Sequence, residues 1–111
     1  MNTKIKFTYK DVPYTLEYDR NIIMTLEEAG FSARDFANAP MKNLNLAFKG
    51  AFLKNHRKTK ESIIDEIYEN IKDKEKLMKT LLNMVDECYS TLFDDEEGSE
   101  GNIEWDTVGL K

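Results

Sequence analysis

Two short runs near the N-terminus alternate between apolar and polar residues. Residues 4–9 form the first run and residues 14–18 the second, with the short polar segment 10–13 between them. Such alternation is typical of strands with one buried face, and two such strands around a short connection predict an antiparallel β-hairpin. The apolar positions of the two runs are Ile5, Phe7, Tyr9, Tyr14, Leu16 and Tyr18.

Apolar residues then recur at helical spacing in four further segments. Asp19 and Asp73 are suited to cap the first and the fourth helix, and Gly30 is suited to end the first. A hairpin alone is marginally stable, so its apolar face must pack on these helices. We therefore expect an α+β domain over residues 1–93, with an N-terminal antiparallel β-hairpin on a bundle of about four α-helices. We expect the helices at about residues 20–29, from Pro40 onward, at about 60–71 and at about 74–93.

The C-terminal residues 94–111 have a different character. Residues 94–102 carry acidic side chains and glycine but no apolar side chain, so burial cannot offset the entropy of ordering them. We expect a flexible acidic tail, in which Ile103 and Trp105 form a hydrophobic hook. Its acidic residues would steer the hook to a basic patch on the same chain or on a neighbouring subunit, unless the tryptophan is incidental. The patch consists of Lys54, Arg57, Lys58 and Lys60.

Charge is unevenly distributed along the 111 residues, whose net charge is −5. Residues 1–60 are net basic, whereas residues 61–93 and 94–111 are net acidic. This polarity predicts a homo-oligomer or a tail that folds back, and the overall acidity makes nucleic acid an improbable partner. The sequence has no apolar run of bilayer length and no N-terminal secretory pattern, which predicts a cytoplasmic protein without a membrane partner.

The residue types needed for catalysis do not come together in any known motif. His56 lies among polar residues and is interpreted as a solvated loop residue, and Cys88 lies on an apolar helical stripe and is interpreted as a buried thiol. Asp65, Glu66 and Glu69 fall on the polar face of the third helix, where general acid–base chemistry lacks the burial it needs. We therefore expect no enzyme, no metal and no cofactor.

Short stretches of packing residues are distributed over most of the chain. They are Phe7-Thr8-Tyr9, Tyr14-Thr15-Leu16-Glu17-Tyr18, Arg20, Pro40-Met41, Ala47-Phe48-Lys49-Gly50-Ala51-Phe52-Leu53, His56, Ile64-Asp65-Glu66-Ile67-Tyr68 and Gly101-Asn102-Ile103-Glu104-Trp105. Together they resemble tail assembly chaperones, small proteins encoded in the tail-gene region of long-tailed phages and prophages of Gram-positive bacteria. The connection at residues 10–13 departs from this family, because it lacks the glycine expected there.

The resemblance implies a protein that binds the tape measure protein, a very long and largely helical chain that sets tail length. It would keep this client soluble until tail-tube subunits polymerise around it. It would be made in the host cytoplasm and be absent from the mature virion. A helical client needs an apolar groove, and we expect that groove at apolar positions off the main helical stripes, namely Leu46, Leu53 and Met84.

Two other functions are compatible with the same sequence. One is a structural subunit of the virion, such as a tail-completion or head–tail connector protein. The other is a small nucleic-acid-binding regulator that uses the basic residues near 54–60, although aromatic residues are not interleaved there and no helix-turn-helix pattern is present.

Overall fold

The structure, a computed structural model, describes residues 3–92 and residue 109. Within them the expected α+β fold is confirmed, because an antiparallel hairpin is followed by four α-helices. The predicted tail, including Ile103 and Trp105, lies outside the described residues apart from residue 109. The elements are β1 (Ile5–Tyr9), β2 (Val12–Leu16), α1 (Arg20–Glu28), a short 3₁₀ helix (Phe36–Asn38), α2 (Pro40–Gly50), α3 (Glu61–Asn70) and α4 (Lys74–Ser90).

The hairpin turns more tightly than the sequence suggests. Tyr9 pairs with Val12, so the connection is the two-residue turn Lys10-Asp11. The expectation of a polar connection over residues 10–13 is wrong, because Val12 and Pro13 belong to β2. Lys10 and Asp11 have φ angles of 49° and 66°, and positive φ at both central residues matches the twist of a two-residue hairpin. The turn thus adopts its left-handed backbone without glycine.

The predicted helix signals are confirmed at both capped helices. Asp19 Oδ1 accepts a hydrogen bond from the backbone N–H of Ile22 at 2.9 Å, and Asp73 Oδ1 accepts one from the backbone N–H of Lys76 at 3.1 Å. Gly30 follows α1 with a φ of 103°, a conformation that glycine adopts at low cost. These local contacts explain why α1 and α4 begin where they do.

The core lies where one face of the hairpin meets all four helices. The Phe7 and Tyr14 rings stack across the hairpin at 5.2 Å between centroids. Tyr18, just beyond β2, donates its hydroxyl to the backbone carbonyl of Ala47 in α2. Burial raises the pKa of the Tyr18 hydroxyl, so it remains a donor. The buried apolar residues are Tyr14, Leu16, Tyr18, Ile22, Ile23, Leu26, Phe31, Ala47, Phe48, Ala51, Phe52, Ile64, Ile67, Leu77, Leu81, Met84 and Val85.

Helices α1 and α2 approach each other closely at Gly50, the last residue of α2. A Cβ atom at this position would lie 2.5 Å from Cδ2 of Leu26. The two helices therefore pack closely here, and a larger residue at position 50 would force the Leu26 side chain to move. No helix among residues 3–92 is long and apolar enough to cross a bilayer.

A candidate binding groove between α2 and α3

A groove with a volume of about 390 Å³ lies between α2 and α3. Residues on α2 contribute to it at spacings of three and four, so they share one face of that helix, and residues on α3 do the same. The groove is therefore a helix–helix cleft built from two regular elements. It is lined by Met41, Leu44, Asn45, Phe48 and Lys49 from α2 and by Asp65, Tyr68 and Glu69 from α3.

The base of the groove is aromatic and its mouth is aliphatic. Phe48 is 3% exposed, and the Tyr68 ring packs edge-on against it with centroids 5.5 Å apart. Leu44 is half-buried beside them, whereas Met41 is 86% exposed at the N-terminal end of α2. Methionine is flexible and repacks easily around irregular apolar surfaces. This arrangement can accept apolar side chains from outside.

Carboxylates border the groove on the α3 side. Glu61, Asp65 and Glu69 are exposed and follow one another at intervals of four residues, which aligns them along one helix face. The Lys49 ammonium on α2 forms an ion pair with Glu61 and lies 3.9 Å from Asp65. The hydrogen bond from Lys49 lowers the pKa of the Glu61 carboxyl. The row therefore sets three carboxylates against the one ammonium of Lys49, and two of the carboxylates, Asp65 and Glu69, line the groove.

The three apolar residues predicted to bind a client do not line this groove. Leu46 and Leu53 are half-buried and pack against the core. Met84 is 2% exposed, so the expectation that it lies off the main apolar stripe of α4 is wrong. It is buried because the face of α4 that packs on the core is broad and includes Leu81, Met84 and Val85. Whether Leu46 and Leu53 contact a client stays a prediction.

The predicted basic patch lies in the loop between α2 and α3, where Lys54, Arg57, Lys58 and Lys60 are all exposed. Lys54 differs from the others because its ammonium lies 3.4 Å from the carboxylate of Glu17. Part of its charge is therefore already balanced within the domain. The docking of the C-terminal hook on this patch stays a prediction.

His56, from the same loop, is not the solvated residue that the sequence suggested. Its Nε2 accepts a hydrogen bond from the backbone N–H of Thr15 at 2.9 Å. Its ring centroid lies 5.0 Å from that of Tyr14 and 6.5 Å from that of Phe52. The interpretation as a solvated residue is wrong because it considered only the polar sequence neighbours. In the folded chain, Tyr14 from the hairpin and Phe52 from the end of α2 lie next to the His56 ring. His56 thus anchors β2 to the loop after α2.

Cys88 lies on α4, on the face that packs against the core. Cys88 is half-buried, and burial raises the pKa of its thiol, which disfavours the reactive thiolate. No three His, Cys, Asp or Glu side chains among residues 3–92 come close enough to hold a metal ion.

The family described as "Domain of unknown function (DUF5055)" matches residues 1–108, and the chain belongs to this family. No curated protein and no solved structure matches the chain.

Proposed function

We propose that this protein is a phage tail assembly chaperone, which binds the helical tape measure protein and keeps it soluble until the tail tube polymerises. The resemblance of the sequence to that group of proteins supports the proposal. The observation that carries it is the apolar groove between α2 and α3, with Met41 86% exposed at its mouth. Met41 is not an isolated exposed side chain, because it continues the apolar lining formed by Leu44, Phe48 and Tyr68, and contiguous apolar surface is typical of interaction sites.

The dimensions of the groove suit a segment of helix. Helix α2 has 11 residues, which corresponds to a length of about 16 Å. A client helix lying along it would present about three turns, and apolar residues three and four apart would face the groove. The volume of about 390 Å³ falls within the range of sites that enclose apolar groups. No chemical step is required, because the client is held and later released unchanged.

The proposal also states where the protein acts and that it self-associates. The chaperone acts in the cytoplasm of the bacterial host and is absent from the finished virion. The opposite net charges of residues 1–60 and 61–111 favour self-association, which should weaken when salt screens these charges. Light scattering coupled to gel filtration tests this part, and a monomer at high concentration and low salt would contradict it.

Co-expression with the tape measure protein tests the chaperone function. Met41→Asp places a charge at the mouth of the groove without disturbing the core, so the soluble fraction of the client should fall at least severalfold. Met24→Asp is the matched control, because Met24 is also exposed, at 56%, but lies on α1 outside the groove. Equal client solubility with both variants would show that the groove is not the binding site.

Two further measurements separate this proposal from its alternatives. In the same assay, Leu46→Asp and Leu53→Asp together test the site predicted from sequence, with circular dichroism as the check on folding. Mass spectrometry of purified virions should not detect the protein. A stoichiometric amount in virions would instead indicate a structural tail subunit.

A further inference from the structure

The two sides of the α2–α3 groove differ in charge. On α3, the exposed residues Glu61, Asp65 and Glu69 form a row that extends for about 12 Å along the helix. The α2 side presents Met41 and Asn45, which are uncharged, and Lys49, whose ammonium is the one charged group that α2 contributes to the lining and is paired with Glu61 and Asp65. A partner lying in the groove therefore meets carboxylates on one of its flanks only.

The lysines near this row leave part of its charge unbalanced. Lys49 contacts Glu61 and Asp65, which lie toward the N-terminal end of the row. Lys74 lies at the other end, with its ammonium 5.4 Å from the centre of the Tyr68 ring, and it donates to the backbone carbonyls of Glu69 and Ile71. Within residues 3–92, the Glu69 carboxylate forms no ion pair, so the row keeps a net negative charge next to the apolar base.

We propose that the groove selects an amphipathic helix whose apolar face is bordered, on the side next to α3, by lysine or arginine. This inference rests on the proposed function only in taking a helix as the partner. Apolar contacts with Met41, Leu44 and the half-buried ring of Tyr68 supply most of the affinity, whereas the carboxylate row fixes which way round the helix lies. Exposed ion pairs contribute little each and are weakened by salt. The row therefore acts on orientation and on the choice among helices more than on affinity.

Three synthetic helical peptides test this selection on the full chain. They share one apolar face and carry lysine, glutamine or glutamate along a single flank, and binding is followed by fluorescence anisotropy. The lysine peptide should bind about three- to tenfold more tightly than the glutamine peptide at low salt, and the glutamate peptide more weakly still. High salt should bring the three affinities together.

Variants in the carboxylate row show whether the preference among peptides comes from this row or from the net charge of the protein. The pair Asp65→Asn and Glu69→Gln should remove the preference, and the pair Asp65→Lys and Glu69→Lys should reverse the order of the peptides. The matched control is Glu28→Lys with Asp86→Lys, which makes the same change in net charge at exposed positions outside the groove. Circular dichroism establishes that each variant is folded.

The outcomes distinguish this inference from the proposed function. If all three peptides bind equally and Met41→Asp weakens them all, the groove binds helices and the charge selection is wrong. If the control pair also reverses the order, the effect is one of net charge and the inference is again wrong. If no peptide binds although co-expression keeps the tape measure protein soluble, the groove is not the helix site.

Discussion

Nε2 of His56 accepts a hydrogen bond from the backbone N–H of Thr15 at 2.9 Å, which joins the loop after α2 to the middle of β2. The neighbouring Asn55 donates to the backbone carbonyl of the same Thr15 at 3.2 Å. The backbone N–H of Glu17 donates to the carbonyl of Ala51 at 3.1 Å. Three hydrogen bonds thus fix the end of β2 and the residue after it against the end of α2 and the loop that follows.

Replacing His56 should destabilise the domain through this junction. His56→Phe keeps a ring next to Tyr14 and Phe52 but removes the acceptor, so the N–H of Thr15 loses its partner at a cost of about 1–3 kcal/mol. His56→Ala removes the ring packing as well and should cost more. Urea denaturation measures both, and Arg57→Ala, at the exposed neighbouring position, should change the unfolding free energy by less than about 0.5 kcal/mol. A His56→Phe variant as stable as the wild type would show that the hydrogen bond contributes nothing.

The carboxylate of Glu17 makes the stability of the domain depend on pH. Its side chain is 11% exposed and lies 3.4 Å from Lys54 and 3.7 Å from Lys4, and Asn55 donates to it at 2.7 Å. The hydrogen bond from Asn55, followed by the charges of Lys54 and Lys4, lowers the pKa of Glu17 below its ordinary value of about 4.5. The unfolded chain thus takes up a proton at a higher pH than the folded chain does.

The stabilisation from this carboxylate should therefore be fully present above about pH 4.5 and be lost as the pH falls through the lower pKa of the folded state. Glu17→Gln should be less stable than the wild type at neutral pH, by about 1–3 kcal/mol for the charged hydrogen bond. The difference between the two proteins should shrink in acid. Unfolding free energies measured from pH 7 to pH 3 test this, and a constant difference would contradict it.

Local signals predicted the secondary structure well, because they act within a few residues. Asp19 and Asp73 cap helices through a donor three residues away. The hairpin turn was missed because Lys10 and Asp11 adopt positive φ without the glycine that normally marks such a turn. Its geometry follows from the pairing of the strands.

The candidate site was not predictable to the same degree. Sequence periodicity shows which face of a helix is apolar but not which part of that face a neighbouring helix covers. Met41 and Met84 both belong to apolar helix faces, yet the first is 86% exposed and the second 2% exposed. The difference in exposure arises from how the helices pack on one another and on the hairpin. No local sequence pattern encodes this packing.

The contact between Gly50 and Leu26 predicts an effect opposite to helix propensity. Alanine is favoured over glycine in helices by about 1 kcal/mol, but a Cβ at Gly50 would lie 2.5 Å from Leu26 Cδ2. Gly50→Ala should therefore destabilise the protein, by about 1–3 kcal/mol through overpacking. In a Leu26→Ala background the same substitution should be neutral or stabilising. Equal effects in both backgrounds, measured by urea denaturation, would show that the two residues are not coupled.

Trp105, the only tryptophan, reports on the predicted docking of the C-terminal hook. Burial of a tryptophan contributes about 2–3 kcal/mol, so a docked ring should show blue-shifted emission. Changing Arg57, Lys58 and Lys60 to glutamate should shift the emission to the red, whereas Lys54 is left intact because it also pairs with Glu17. Emission at the fully solvated limit in the wild type would exclude the docking.

The most direct test of the account is site-specific photocrosslinking in the full chain, co-expressed with the tape measure protein. A benzophenone amino acid replaces Met41 at the mouth of the groove in one variant and Met24 on α1 in the other, both at exposed positions. A client bound in the groove should crosslink to position 41 and not to position 24. A crosslink from position 24 alone, or from neither position while the client stays soluble, would contradict this prediction.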